Sequence, residues 1–135
     1  MAELTGESDD GAIGVISLVP EGRHDGPDQR IVLYLLGVAG GDGPLLTYRA
    51  GAEQREIARL ARALRRLARE AEPFAGLTLG WAISVRGDAE GDRLRVTVLH
   101  EATAGAVPGP YAVVVEAPAI ETFVTDLEAE VTALP

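Results

Sequence analysis

The 135 residues contain no cysteine, no lysine and only two histidines, and aromatic side chains make up 4% of them. Without cysteine there is no disulfide framework, no thiolate metal site and no cysteine nucleophile. His24 and His100 are too few for a three-histidine zinc site. All twelve basic residues are arginine, so no lysine can reach a phosphate from a glycine-rich loop. No apolar run approaches the ~20 residues of a membrane-spanning helix. The opening "MAELTGESDDG" has neither the basic nor the apolar region of a signal peptide, which makes a cytoplasmic protein the expectation.

What is present describes a folded domain. A hydrophobic fraction of 47% and a mean hydropathy of +0.11 suit a globule better than a disordered chain. The formal net charge is −9. Between Tyr111 and Pro135 lie Glu116, Glu121, Asp126, Glu128 and Glu130, with no arginine among them. Such a chain repels nucleic acid and draws basic partners. A basic protein partner is expected, with no nucleic acid and no membrane.

Residues 1–11 read as a flexible acidic tail and 12–135 as a single domain. "AIGVISLV" (12–19) predicts a strand stopped by Pro20, followed by a loop dense in turn formers. "RIVLYLLGV" (30–38) is apolar at both parities, which predicts a central strand covered on both faces. "PLLTYR" (44–49) predicts a third strand. In residues 52–72, Ile57, Leu60, Ala61, Leu64, Leu67, Ala68 and Ala71 form the apolar stripe of an amphipathic helix. Alternation predicts strands at 77–86, 93–101 and 111–117, and a helix with Pro118 near its start closes the chain. The expected order is β-β-β-α-β-β-β-α without internal repeats. The fold class is α+β, a two-layer, largely antiparallel sheet with two helices packed on one face.

The glycines of "GVAGGDG" are followed by Pro44 and another strand, not by the helix whose N-terminus would hold a phosphate. Asp42-Gly43 reads as a hairpin turn. Asp88, Glu90 and Asp92 imitate the opening of a calcium loop, but Arg93 and Leu99 occupy the positions where that loop needs glycine and glutamate, which leaves an acidic hairpin tip. His100 shares the parity of Leu94, Val96 and Val98 and reads as a packed side chain. Ser17 and Ser84 lie within strands with no nucleophile elbow. No catalytic, cofactor-binding or metal-binding residue is assigned, and the chain is not expected to be an enzyme.

On the long helix Arg55, Arg59, Arg62, Arg66 and Arg69 fall within about 80° of one another. This stripe could grip an acidic partner or a phosphate backbone. The competing reading is a solvated face steadied by Glu56–Arg59 and Arg66–Glu70 pairs.

The segments "LTLGWAISV", "RLRVTVLHEA", "YAVVVEA" and "IETFVTDLEAEVTALP" resemble bacterial immunity proteins of the WapI kind and related high-GC bacterial domains. The likeness covers residues 12 to 135 and lies in a mid-chain helix, three following strands and a C-terminal helix. The segment "VPGPY" stands where an aromatic-rich turn belongs in that pattern. The resemblance implies neutralisation of a toxin by occlusion and brings no catalytic residues.

These readings converge on a non-enzymatic protein-binding module, in one form an immunity protein. The candidate contacts are Arg86, Arg95, Glu101 and Glu116, with the outward Thr78, Ser84 and Thr97, and the helix acids Glu121, Asp126, Glu128 and Glu130. The arginine stripe is the alternative surface. A subunit that homo-oligomerises through strand 30–38 is the second reading. A ligand binder with a pocket at Trp81, His100 and Tyr111 is the third.

Overall fold

Ala2, Leu4 and Gly6 alternate with Glu3, Thr5 and Glu7, and this period of two makes residues 2–7 a strand in the middle of an eight-stranded sheet. The computed structural model describes residues 1–40, 45–80, 82–100 and 110–135. In chain order the elements are β1 (Ala2–Glu7), β2 (Ile13–Asp25), β3 (Arg30–Ala39), β4 (Leu46–Glu53), α1 (Gln54–Glu70), β5 (Phe74–Thr78), β6 (Ile83–Glu90), β7 (Arg93–His100), β8 (Tyr111–Val115) and α2 (Ala117–Thr132). The strands pair antiparallel in the order β4-β3-β2-β1-β8-β7-β6-β5. Both helices pack on one face, which makes this an α+β fold.

Two strands extend the expected order. Residues 1–11 are not a flexible tail: Ala2 and Leu4 are buried in the core, and the "SDDG" segment is the tight turn into β2, closed by Ser8 N–H donating to the Ala12 carbonyl at 2.8 Å. The segment 77–86 is not one strand but the meeting of β5 and β6. The chain reverses at Gly80 (φ +83°), and Leu79 N–H donates to the Ile83 carbonyl at 2.9 Å. Pro20 does not end its strand. Pairing with β1 reaches only to Leu18, so Pro20 removes no ladder bond on that side, and β2 continues through a bulge to Asp25. The layout repeats, four strands and a helix followed by four strands and a helix, although the sequence does not.

Each half is a meander whose inner parity faces the helices. Ile16, Leu18, Val32, Leu36 and Val38 supply the first half, and Ile83, Val85, Val96, Val98 and Val113 the second. Leu60, Leu64 and Leu67 of α1 and Ile120, Phe123, Val124 and Leu127 of α2 fill the space between. The remaining void is about 20 Å³ and wholly apolar, no larger than about one water sphere.

The halves join at two seams. At the first, Glu7 pairs with Val114. Gly6 makes the approach possible, since a Cβ there would lie 2.3 Å from the Val114 carbonyl oxygen. At the second, the turn after β5 lies against β4, where a Cβ on Gly80 would lie 2.1 Å from the Gly51 carbonyl oxygen. The buried Tyr34 hydroxyl donates to the Leu79 carbonyl at 2.6 Å. Burial, and then the nearby Glu56 carboxylate, push the Tyr34 phenol well above its ordinary pKa.

Glu56 completes this seam. Its carboxylate accepts the Glu53 N–H (2.9 Å) at the start of α1, the Thr78 hydroxyl (2.9 Å) and the Gly80 N–H (3.2 Å). Partial burial pushes its pKa up, but the Glu53 and Gly80 amides and the Thr78 hydroxyl outweigh it and hold the carboxyl below its ordinary value. At the other end of the sheet, Tyr48 of β4 stacks on His100 of β7, with ring centroids 4.2 Å apart. The two ends of the sheet therefore curl toward each other around the helices.

Two outcomes follow from this packing. Leu4→Ala should cost about 3 kcal/mol by leaving a cavity in the core, read as a lower urea midpoint. An unchanged midpoint would return residues 2–7 to a tail. Glu56→Ala should cost about 2 kcal/mol at neutral pH, because two amides and a hydroxyl lose a charged acceptor. The native pKa is depressed, so this stabilisation is complete above the ordinary 4.5 and is lost as pH falls through the lower native value. Urea denaturation of both proteins should therefore show the gap closing toward strongly acidic pH. A gap independent of pH would contradict the charged contact.

Candidate functional site

Residues of the opposite parity form the second face of the sheet, and among the described residues no element covers it. Its two halves differ in chemistry. On β2, β3 and β4 it carries Val15, Val19, Ile31, Leu33 and Leu35, interrupted by Ser17, Gly37 and Gly51. Leu33 lies beside Gly22 and Gly51 and is 45% exposed, while Ile13 and Leu45 are 70% and 60% exposed. Strand 30–38 is not covered on both faces, contrary to the expectation from its apolar pattern. Val32, Tyr34, Leu36 and Val38 lie under the helices, whereas Leu33 faces outward with small neighbours that raise no wall around it.

On β6, β7 and β8 the same face carries charge. Arg93 reaches Glu7 at 3.2 Å, and Arg95 joins Glu90 at 2.8 Å and also binds Asp9. Glu90 and then Asp9 push the Arg95 guanidinium further up from its already high pKa. Arg86 pairs with Asp88 at 3.2 Å. The acidic hairpin tip is thus tied to neighbouring arginines, and its turn is Gly91-Asp92, with Glu90 opposite Arg93. Ser84, Arg86, Thr97 and Leu99, with Ala75, Gly76 and Pro110, line a shallow concavity of about 380 Å³. Thr97 is 6% exposed, and its hydroxyl has no hydrogen-bond partner among the described residues.

Arg86, Arg95, Ser84 and Thr97 therefore share one surface. Thr78 stands opposite Ser84 on the edge strand β5 and so shares their parity, with its hydroxyl donating to Glu56 at 2.9 Å. Glu116 is exposed at the start of α2. Glu101 and Trp81 lie outside the described residues, as do Asp42 and Gly43 of the expected hairpin turn. Around that turn, β3 and β4 pair antiparallel.

The helix acids belong to the other layer. Glu121 binds Arg69 at 2.9 Å, Glu128 takes both guanidinium nitrogens of Arg65, and Glu130 binds the N-terminal amine at 2.9 Å. Arg65 holds the Glu128 carboxyl below its usual range. These acids lock α2 to α1 and to the start of the chain, and they do not present a bare negative surface. Asp126 alone of the four makes no ion pair among the described residues. The pairs expected to compensate the arginine stripe do not form: Glu56 turns away to the second seam, and Arg66 and Glu70 make no ion pair among the described residues.

Of the third-reading pocket, Trp81 lies outside the described residues, His100 stacks on Tyr48, and Tyr111 lines a shallow concavity of about 220 Å³ together with Ser8, Asp9 and Asp10. Among the described residues, no group of three or more histidine, aspartate or glutamate side chains could hold a metal ion, and no helix is long and apolar enough to cross a membrane. Sequence reasoning missed the exposed Ile13, Leu33 and Leu45. For Leu33 the signal was the two-sided apolar pattern of strand 30–38. Comparison with family models, with curated proteins and with solved structures gives no match.

Proposed function

We propose that the protein is a non-enzymatic protein-binding module that receives a basic partner on the uncovered face of its sheet, in the manner of an immunity protein that occludes a toxin. The observation that carries this reading is the exposed apolar lane at Leu33, Ile13 and Leu45, continuous with a charged ladder on the same surface. An apolar centre beside a polar, hydrogen-bonding border is the anatomy of a protein interface. A net charge of −9 favours a basic partner and speeds its approach. The helix acids take part in that field only weakly, since Arg65, Arg69 and the N-terminal amine offset most of them.

Self-association through strand 30–38 draws on the same exposed Leu33, but two copies of an acidic chain repel each other. The test is affinity capture from the native host by wild type, by Leu33→Asp and by Glu121→Arg. Circular dichroism confirms that each variant is folded. The reading expects a protein of basic net charge to be captured by wild type and Glu121→Arg, and lost with Leu33→Asp. Equal capture by Leu33→Asp, or an acidic captured protein, would refute it. A wild-type dimer in sedimentation equilibrium that Leu33→Asp splits would favour self-association.

A further inference from the structure

We propose that the outer flank of α1 is a second docking surface, which holds an acidic amphipathic helix of another protein. This goes beyond the reading of the sheet face, since α1 lies in the opposite layer. The chain has 21 acidic residues against 12 arginines, so carboxylates are plentiful. Even so, Arg59, Arg62 and Arg66 stand exposed at successive turns of one helix and make no ion pair among the described residues. Arg55 continues the row and binds Glu53, at the helix start. Like charges three and four residues apart repel one another along a helix by a few tenths of a kcal/mol per pair. Glu56 and Glu70 flank the row on the same helix, but among the described residues no carboxylate forms an ion pair with these three arginines.

The edge of the same stripe that borders α2 shows the mode of docking. There Arg69 and Arg65 hold Glu121 and Glu128 of α2, which runs antiparallel to α1 and carries its carboxylates two turns apart. A charge-assisted pair between helices, one per turn or two, is what this arginine pattern accepts. The outer flank repeats the donor pattern without the acceptor helix. The small side chains of Ala58, exposed, and Ala63, half-buried, border the row on its two sides, so a second helix meets no bulky wall beside it.

Charge geometry selects a helix over a nucleic acid. A duplex carries about one charge per 1.7 Å on all its sides. It would bring phosphates against the acidic remainder of a chain whose net charge is −9. An amphipathic helix confines its carboxylates to one face, where they meet only the arginine row. At physiological salt the surrounding acids act over only about 8 Å.

The probe is a fluorescein-labelled synthetic helical peptide with glutamates at i, i+3 and i+7 on one face, read by fluorescence anisotropy. Arg59→Glu, Arg62→Glu and Arg66→Glu combined should weaken binding by about tenfold or more. The same charge change placed at Arg30, Arg49 and Arg86 should leave most of the affinity, and so should Leu33→Asp, which separates this surface from the sheet face. Equal loss in the two triple variants would overturn the inference by showing a general charge effect. So would no binding of the peptide to wild type, or tighter binding of a short DNA duplex than of the peptide.

Discussion

A single carboxylate holds the two halves of this molecule together at the seam where the sheet has no hydrogen-bonded ladder. Glu56 sits at the third position of α1, where a glutamate closes a helix N-terminus by accepting the backbone amide ahead of it. Its other oxygen reaches out of the helix to Thr78 and Gly80, so the start of α1 and the β5–β6 turn share one anion. Tyr34 fixes the same turn from beneath through the Leu79 carbonyl. A buried phenol without an acceptor would be costly, and a turn without these anchors would expose Leu79, which is 2% exposed here.

The architecture follows from this closure. Eight antiparallel strands would ordinarily form an open, twisted sheet with two free edges. Here Gly6 lets β1 meet β8, Gly80 lets the far turn meet β4, and the sheet curls around α1 and α2. The concave face is consumed by packing. All of the chain's described helix is spent on that side, so the convex face keeps its apolar lane at Leu33 and its arginine–carboxylate ladder free for contact. The same logic divides the arginines of α1. Those facing α2 serve the fold, and Arg59, Arg62 and Arg66, facing outward, make no ion pair among the described residues.

Much of this was legible in the chain. The helical period of 54–70 and the alternation of 93–100 depend on local spacing, and both elements stand where the pattern places them. The first strand was harder to read. Ala2, Leu4 and Gly6 alternate correctly, but two of these side chains are small, and Glu3 and Glu7 dominate the composition. At 77–86 the alternation of Leu77, Leu79, Ile83 and Val85 continues across a chain reversal, because Leu79 stays buried while the chain turns at Gly80. The acids of α2 illustrate a different limit. Glu121 and Glu128 look unpaired in sequence because their partners are 52 and 63 residues away. The face left uncovered is likewise a property of the whole sheet. Two-sided apolarity in strand 30–38 shows that both faces are apolar and says nothing about which elements cover them.

The proposed partner contact lies on the convex face of the sheet, at its apolar lane. Photo-crosslinking tests it at the point of contact, with a photoreactive residue placed at Leu33 in one protein and at the exposed Thr125 of α2 in another. After irradiation with the captured partner, a covalent adduct is expected from position 33 and none from position 125. An adduct from position 125 with none from position 33 would contradict it and move the contact to the helical layer.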